Sequence, residues 1–312
     1  MKGRLISVVV PVYNRASILN ETLQSVRAQT YRPIELIIVD NGSTDASLFV
    51  SRDFADKYAV PDFRVIVIVE QKRGASAARN AGLRLASGEW ISFFDSDDVM
   101  SRDFLSDMSR NVAESTDIVV AGTSVLQDGR LLPRVFVGSA RPQAQVLSSE
   151  ISTQSFIAKR SFITTIGGWD ESIMRWNDWE LGVRILLSSP AIVWFRNKSY
   201  HRIRAHSESI TGSGFSASCS ALIHAMQRAE ADIRRLAHGE KRFLSALALK
   251  AFLLSGTMLR ERDAAASEQM LRYAETVRPN WFIRKLGYCL SFLTSRGVRG
   301  LWRVAYAVTR FI

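Results

Sequence analysis

Cysteine is nearly absent: Cys219 and Cys289 are the only two in 312 residues, and neither lies in a CxxC pair. That excludes a disulfide framework and a cysteine-ligated zinc site, and makes a reducing compartment the expectation. Seven prolines and 18 glycines leave no room for a fibrous repeat, and no low-complexity tract occurs. Neither a P-loop nor a GxGxxG fingerprint is found. No stretch of 18 uninterrupted apolar residues occurs; Phe243–Leu259 comes closest, with 17 residues and Lys250 at its centre. A central lysine is costly in a bilayer, so a helix buried in protein or lying at an interface is expected there. The opening MKGRLISVVVPVYN has a basic start and an apolar run, but Pro11 and Asn14 break it and no small-residue cleavage site follows. A first buried strand is expected rather than a leader.

With 47% hydrophobic and 23% charged residues, the chain can bury a substantial core. Its 41 Lys+Arg against 30 Asp+Glu give a net charge of +11. The excess is uneven. Residues 1–214 hold 25 basic and 23 acidic side chains (+2), whereas 215–312 hold 16 and 7 (+9). The basic residues accompany no recognised nucleic-acid fold, so nucleic acid is not an expected partner.

Short apolar runs rich in β-branched residues alternate with helix-like stretches over the first 125 residues. Leu5–Val12, Ile34–Asp40, Arg64–Glu70, Trp90–Asp95 and Asp117–Ala121 read as strands; Ser17–Gln29, Asp45–Tyr58, Ala75–Ala86 and Arg102–Glu114 read as helices. The order predicts an α/β, doubly wound, mostly parallel sheet, in which ligands bind beyond the carboxyl ends of the strands. The pattern weakens over 126–150, where Pro133 and Pro142 read as breakers, and resumes with a strand at 155–159, a helix at 178–187 and a strand at 191–196. Beyond 215 the chain reads as helical.

The residues after each expected strand are polar. Asp95-Ser96-Asp97-Asp98 delivers three carboxylates together, which suits Mg²⁺ or Mn²⁺ but also suits a turn and N-cap. Lys72-Arg73-Gly74-Ala75 opens a helix near Arg79, either a phosphate-binding mouth or an ordinary capped helix. Asp40 ends an apolar run and can accept from a nucleobase imide; Asn41-Gly42-Ser43-Thr44 is explained as a turn and cap. Asp178 is either a carboxylate favoured at a helix start or a general base. Trp176 and Trp179 on either side offer flat faces to an acceptor sugar. His201 and His206 are candidates to ligate a cation or contact a diphosphate.

In order and spacing these segments resemble the family-2 nucleotide-sugar glycosyltransferases: Ile6 to Asn14, Glu35 to Asp45, Gly74 to Gly82, Gly88 to Asp98, and more loosely Gly167-Gly-Trp-Asp-Glu171 and Asp178. The resemblance is strong over 5–98, extends to about 211 and does not reach the tail. It implies a GT-A fold with a C-terminal helical extension. The expected division is a catalytic domain at 1–214, with a nucleotide-sugar half at 1–125 and an acceptor half at 126–214, followed by a basic helical region at 215–312. It also implies inverting transfer from a nucleotide-diphospho-sugar, with UDP expected, to a glycan or lipid-linked acceptor in cell-envelope polysaccharide biosynthesis. By the same resemblance Pro11, Tyr13 and Asp40 surround the base, Arg79 lies near the diphosphate, and Asp95 contacts the nucleoside side of the donor. Asp97 binds a divalent cation, Mn²⁺ or Mg²⁺, with His206 nearby, and Asp178 is the base. The family's acidic Glu-Asp pair is here Asn177-Asp178, which removes one carboxylate and leaves the base.

Two other readings stand beside it. A nucleotidyltransferase also joins an α/β sheet to an acidic metal site, but leads with a glycine- and basic-rich loop where this chain has Pro11-Val-Tyr-Asn14. A non-catalytic membrane-surface module is the other. Residues 279–312 hold six Lys/Arg, no acid, and Trp281, Phe282, Tyr288, Phe292, Trp302, Tyr306 and Phe311, a composition suited either to an anionic bilayer surface or to packing on the catalytic domain. The expected location is cytoplasmic, peripheral on the inner face of the cytoplasmic membrane.

Overall fold

The computed structural model describes residues 3–110, 112–127, 130–133, 141–204, 214–236 and 240–311. Eight strands form one sheet: β1 (Ile6–Val12), β2 (Ile34–Asp40), β3 (Phe63–Val69), β4 (Trp90–Phe93), β5 (Ile118–Gln127), β6 (Arg130–Pro133), β7 (Phe156–Lys159) and β8 (Ile192–Arg204). Helices α1 (Leu19–Arg27), α2 (Ser47–Tyr58), α3 (Ala75–Leu85) and α4 (Phe104–Arg110) alternate with the first five strands. Next come α5 (Pro142–Ser148), α6 (Arg160–Thr165) and α7 (Asn177–Leu187). The C-terminal part is helical: α8 (Cys219–Leu236), α9 (Glu240–Arg260), α10 (Ala264–Thr276), α11 (Trp281–Ser295) and α12 (Trp302–Thr309).

The sheet order is β3-β2-β1-β4-β7-β5-β6, with β8 against β5. Four of the seven pairings among the described residues are parallel: β1 with β2 and β4, β2 with β3, and β5 with β8. β7 runs antiparallel between β4 and β5. Every residue of β2 is buried, as are six of the seven in β1, so both read as unbroken apolar runs covered on two faces. Helix α3 lies so close over β1 that a Cβ on Gly82 would come 2.3 Å from Cγ1 of Val9, and glycine alone fits there. Glu35 is the exception within β2. It is wholly buried and accepts from Ser7 Oγ (2.7 Å), Ser87 N (2.9 Å), Ser87 Oγ (2.7 Å) and Arg64 Nη1 (3.2 Å). Burial pushes this carboxyl up, but the bonds from Ser87, Ser7 and Arg64 outweigh it and hold Glu35 below the usual carboxylate range.

The chain packs as two compact units that interleave in sequence. A sheet unit takes 1–138, 151–174 and 190–205; a helical unit takes 139–150, 175–189 and 206–312. The helical unit is built round α9, against which α5, α10, α11 and α12 pack. Helix α9 is 21 residues long and, among the described residues, is the one helix apolar and long enough to cross a membrane. Of its most apolar window 78% is buried within the protein, the behaviour of a core helix.

Candidate active site

Parallel pairing puts the carboxyl ends of β1 to β4 along one edge of the sheet. The register sets Val12 beside Asp40, and Asp40 beside Val69, so the turns that follow are neighbours. This edge includes the place where the strand order reverses between β1 and its two partners. Pro11 pairs with Val39 within β1. Asn14 adopts a left-handed φ of 50°, and its Oδ1 accepts from Thr44 N at 2.8 Å while its own N–H donates to Ser43 Oγ at 3.1 Å. Asn41 ties the β3–α3 loop down: its Nδ2 donates to the carbonyls of Glu70 (3.0 Å) and Lys72 (2.8 Å), and its Oδ1 accepts from Gly74 N (2.7 Å). The loop thus held brings Arg73 over the half-exposed Tyr13, 5.2 Å from the ring centre, with Nη1 donating to the phenol oxygen at 2.9 Å.

Asp40 is buried. Oδ2 accepts from Ser43 N at 3.1 Å, whereas Oδ1 is buried without a hydrogen-bond partner. Arg79 has the same character: its guanidinium lies on Trp169 at 4.4 Å, Nη2 donates to Asp95 Oδ1 at 2.7 Å, and Nε and Nη1 are buried with no acceptor. Leaving a buried polar group unmatched costs about 1–3 kcal/mol, so such atoms mark where a polar ligand is wanted. Trp169 is set by Asn80, whose Oδ1 accepts from Trp169 N (2.9 Å) and whose Nδ2 donates to Trp169 O (2.8 Å) and Glu171 Oε1 (2.8 Å). Gly168, at φ 64°, makes room for this, since a Cβ there would come 2.7 Å from Asn80 Oδ1.

The three carboxylates after β4 separate in role. Asp95 and Asp98 share one donor, Gln154 Nε2, which bonds Oδ2 of Asp95 at 3.1 Å and Oδ2 of Asp98 at shorter range. Asp97 points elsewhere, its Oδ2 3.4 Å from Arg15 Nη2 and its side chain 20% exposed. Among the described residues no three His, Cys, Asp or Glu side chains group into a metal cage. A single carboxylate fits a hard cation that draws its remaining ligands from phosphate oxygens and water, as Mg²⁺ does.

Asp178 belongs to the helical unit. It is the second residue of α7, where the dipole favours a carboxylate, and its Oδ1 accepts from Trp179 N at 2.8 Å. Trp176 precedes the helix with φ 66°, an uncommon conformation for a bulky residue. Trp179, expected to offer a face to a sugar, does not: it is 1% exposed, donates from Nε1 to Val146 O at 3.0 Å, and receives Gln145 Nε2 on its carbonyl at 3.1 Å. Of the pair, Trp176 alone is partly exposed.

His201 is also unlike its expectation. It is buried among Phe94, Phe104 and Tyr200, with Nε2 bonded to Gln154 O (2.9 Å) and Nδ1 accepting from Ser101 N (3.3 Å). Burial lowers it to about 3, so it is a neutral structural bond-maker and offers no nitrogen to a cation. His206 lies outside the described residues. Sequence reading missed Gln154 and Trp169 as parts of this site, and Arg15 beside Asp97. Arg15 follows the buried β1, and Trp169 lies in the 167–171 stretch of the resemblance, whereas no local pattern marks Gln154.

Residues 7–136 match the family model described as "Glycosyl transferase family 2". That stretch of the chain is a family-2 glycosyltransferase domain. Amylovoran biosynthesis glycosyltransferase AmsB of Erwinia amylovora is 29% identical over 196 residues, covering 59% of this chain and 64% of that protein. Curated glycosyltransferases of higher identity, 40–43% over 106–121 residues, match along only 16–41% of their own length, so the chain spans less than two thirds of these relatives. Among solved structures, Staphylococcus aureus TarS 1-349 in complex with UDP-GlcNAc superposes with a TM-score of 0.68 at 18% identity, covering 97% of this chain and 92% of that one. Mannosyltransferase PcManGT of Pyrobaculum calidifontis, in complex with GDP-Man and Mn²⁺, gives a TM-score of 0.56 at 18% identity, covering 100% and 85%. The fold of the glycosyltransferase domain is therefore GT-A, with helices following it.

Proposed function

We propose that the protein is an inverting glycosyltransferase that moves a sugar from a UDP-sugar to a hydroxyl of a glycan or lipid-linked acceptor in polysaccharide biosynthesis. The observation that carries the donor half is the pair of buried, unmatched polar groups, Asp40 Oδ1 and Arg79 Nε and Nη1, on the edge where a parallel sheet binds ligands. AmsB supports the polysaccharide context by its name, and the nucleotide sugars named with TarS and PcManGT support the donor class.

In this reading Asp40 Oδ1 accepts from the imide N–H of uracil, with Pro11 and Tyr13 about the ring and Arg73 holding Tyr13 in place. Arg79 gives its unmatched N–H groups to the diphosphate, and Asp95, fixed by Arg79 and Gln154, meets the nucleoside side of the donor. Asp97 would hold a divalent cation, Mn²⁺ or Mg²⁺, which when bound supplies positive charge to the leaving diphosphate. Asp178 takes the proton of the acceptor hydroxyl. The new C–O bond forms at the anomeric carbon as the bond to the diphosphate breaks, and UDP leaves with the electron pair. Inversion needs no covalent intermediate, hence no nucleophilic Ser or Cys.

A panel of nucleotide-sugars screened for thermal stabilisation, with Mn²⁺ and with chelator, tests the donor half. One UDP-sugar is expected to raise the melting temperature, more so with the cation. Stabilisation by a nucleoside triphosphate with pyrophosphate release would instead favour the nucleotidyltransferase.

We infer further that residues 279–312 hold the enzyme at an anionic membrane surface, near lipid-linked acceptors. Trp281, Phe282, Tyr288, Phe292 and Phe311 are exposed, whereas α11 turns Ile283, Gly287 and Leu290 inward. Six basic side chains without an acid accompany them. Buried aromatics would have favoured a purely structural role for this segment.

A further inference from the structure

Lys250 stands in the middle of α9, the core helix of the helical unit, and is 7% exposed. Its Nζ lies 4.5 Å from the ring centre of Trp176 and 5.3 Å from that of Trp179, and donates to the carbonyl oxygen of Leu147 at 3.4 Å. Those indoles are the ones on either side of Asp178. A packed helical core has no need of an ammonium here, because taking a charge out of water costs several kcal/mol where Met or Leu would fill the space. Two cation–π contacts and one carbonyl recover part of that.

Among the described residues, the other acidic groups on elements packed against α9 are already matched. Glu180 of α7 is bonded to Arg184, with Nη2 to Oε2 at 2.8 Å; Glu230 and Asp232 of α8 are bonded to Arg234 and Arg235. Glu268 of α10 pairs with Arg272, and Glu275 interacts with Tyr288. Helix α5 carries no ionisable side chain, and Arg284, Lys285 and Arg303 of α11 and α12 are exposed. Among the described residues, Asp178 is the charged group that pulls the Lys250 ammonium toward its protonated form.

We propose that Lys250 is a positioning residue for Asp178, a role that rests on the reading of Asp178 as the base: its ammonium favours the ionised carboxylate, and its contacts with both indoles hold the turn that presents it. Trp176 gives this turn a reason to need holding, since its left-handed backbone persists only where the surroundings impose it. Burial lowers Lys250 to about 7, against the opposing pull of Asp178; the coupling is reciprocal, so a carboxylate that favours the ammonium is itself favoured by it.

The test uses the full chain as Lys250→Met and Asp178→Asn. Lys250→Met is expected to melt no lower than the parent at neutral pH and to keep the donor KM. Its kcat falls by about tenfold or more, and the acid limb of its kcat–pH profile moves to higher pH. A folded Lys250→Met with parental kcat and an unmoved acid limb overturns the role while leaving the base reading intact. If Asp178→Asn transfers sugar at the parental rate, the base reading itself fails. Should Lys250→Met not fold, the pH dependence of unfolding decides. Removing Asp178 must lower the pH at which stability begins to rise, because Lys250 then loses its proton sooner. An onset identical in parent and Asp178→Asn overturns the proposal.

Discussion

Glu35 has no contact with water, yet four donors surround it, and the sign of its titration follows from them. Its folded value lies below that of an unfolded glutamate, so its contribution is present above the unfolded carboxyl range and is lost as pH falls through the folded value. Glu35→Gln is expected to lower stability at neutral pH by about 1–3 kcal/mol in denaturant unfolding, with a shallower loss on acidification than the parent. Lys250 is lowered as well, but by burial that penalises its charged form. Burial holds it at about 7, so the unfolded chain binds the extra proton between there and the ordinary lysine range, and stability rises with pH across that window. Lys250→Met should remove that slope, read as unfolding midpoints from pH 7 to 10. Gln154 is the residue on which the acid loop turns. Replacing it by Glu sets a third carboxylate against Asp95 and Asp98, and cation-dependent donor affinity should fall by about tenfold or more in calorimetry.

Elements were legible where a residue's surroundings follow from its neighbours in sequence. β1, β2 and β4 announce themselves because strands covered on both faces are unbroken β-branched and aromatic runs, and α3 because its alanines lie between Gly74 and Gly88. Helix α5 was not legible. Pro142 reads as a breaker, but it stands in the first turn of the helix, where its missing N–H has no partner to lose. Strand β8 continues nine residues past its apolar part, to Arg204, because β5 is there to pair with it; no local pattern reports that. Trp179 shows the limit at the site: two tryptophans beside a carboxylate read alike, and only the position of Val146 decides that one is buried. Gly82 likewise reports on the closeness of α3 to β1. Gly82→Ala should cost about 1–3 kcal/mol by overpacking Val9, and Val9→Ala in the same chain should recover part of it.

At the scale of the whole molecule, the +11 charge divides a nearly neutral stretch at 1–214 from a tail at +9, and the proposed membrane contact draws on that excess together with the tail's exposed aromatics. The full chain should float with vesicles containing anionic lipid and not with neutral ones, with each Lys or Arg at the surface worth about 1 kcal/mol. Arg296→Glu with Arg303→Glu should abolish flotation and leave transfer to a soluble acceptor unchanged, whereas equal flotation with neutral vesicles would contradict the electrostatic account. The interleaving of the two units, with 139–150 and 175–189 joining the C-terminal helices, separates in sequence what the helical unit collects in space: Asp178, both tryptophans and Lys250. The reading of the protein as a glycosyltransferase rests most directly on what Asp178→Asn does with the UDP-sugar that stabilises the parent best. Binding measured by calorimetry should be unchanged, while sugar transfer, followed as UDP release, falls to background. Transfer by that variant at the parental rate, or no UDP release by the parent with any nucleotide-sugar, would contradict it.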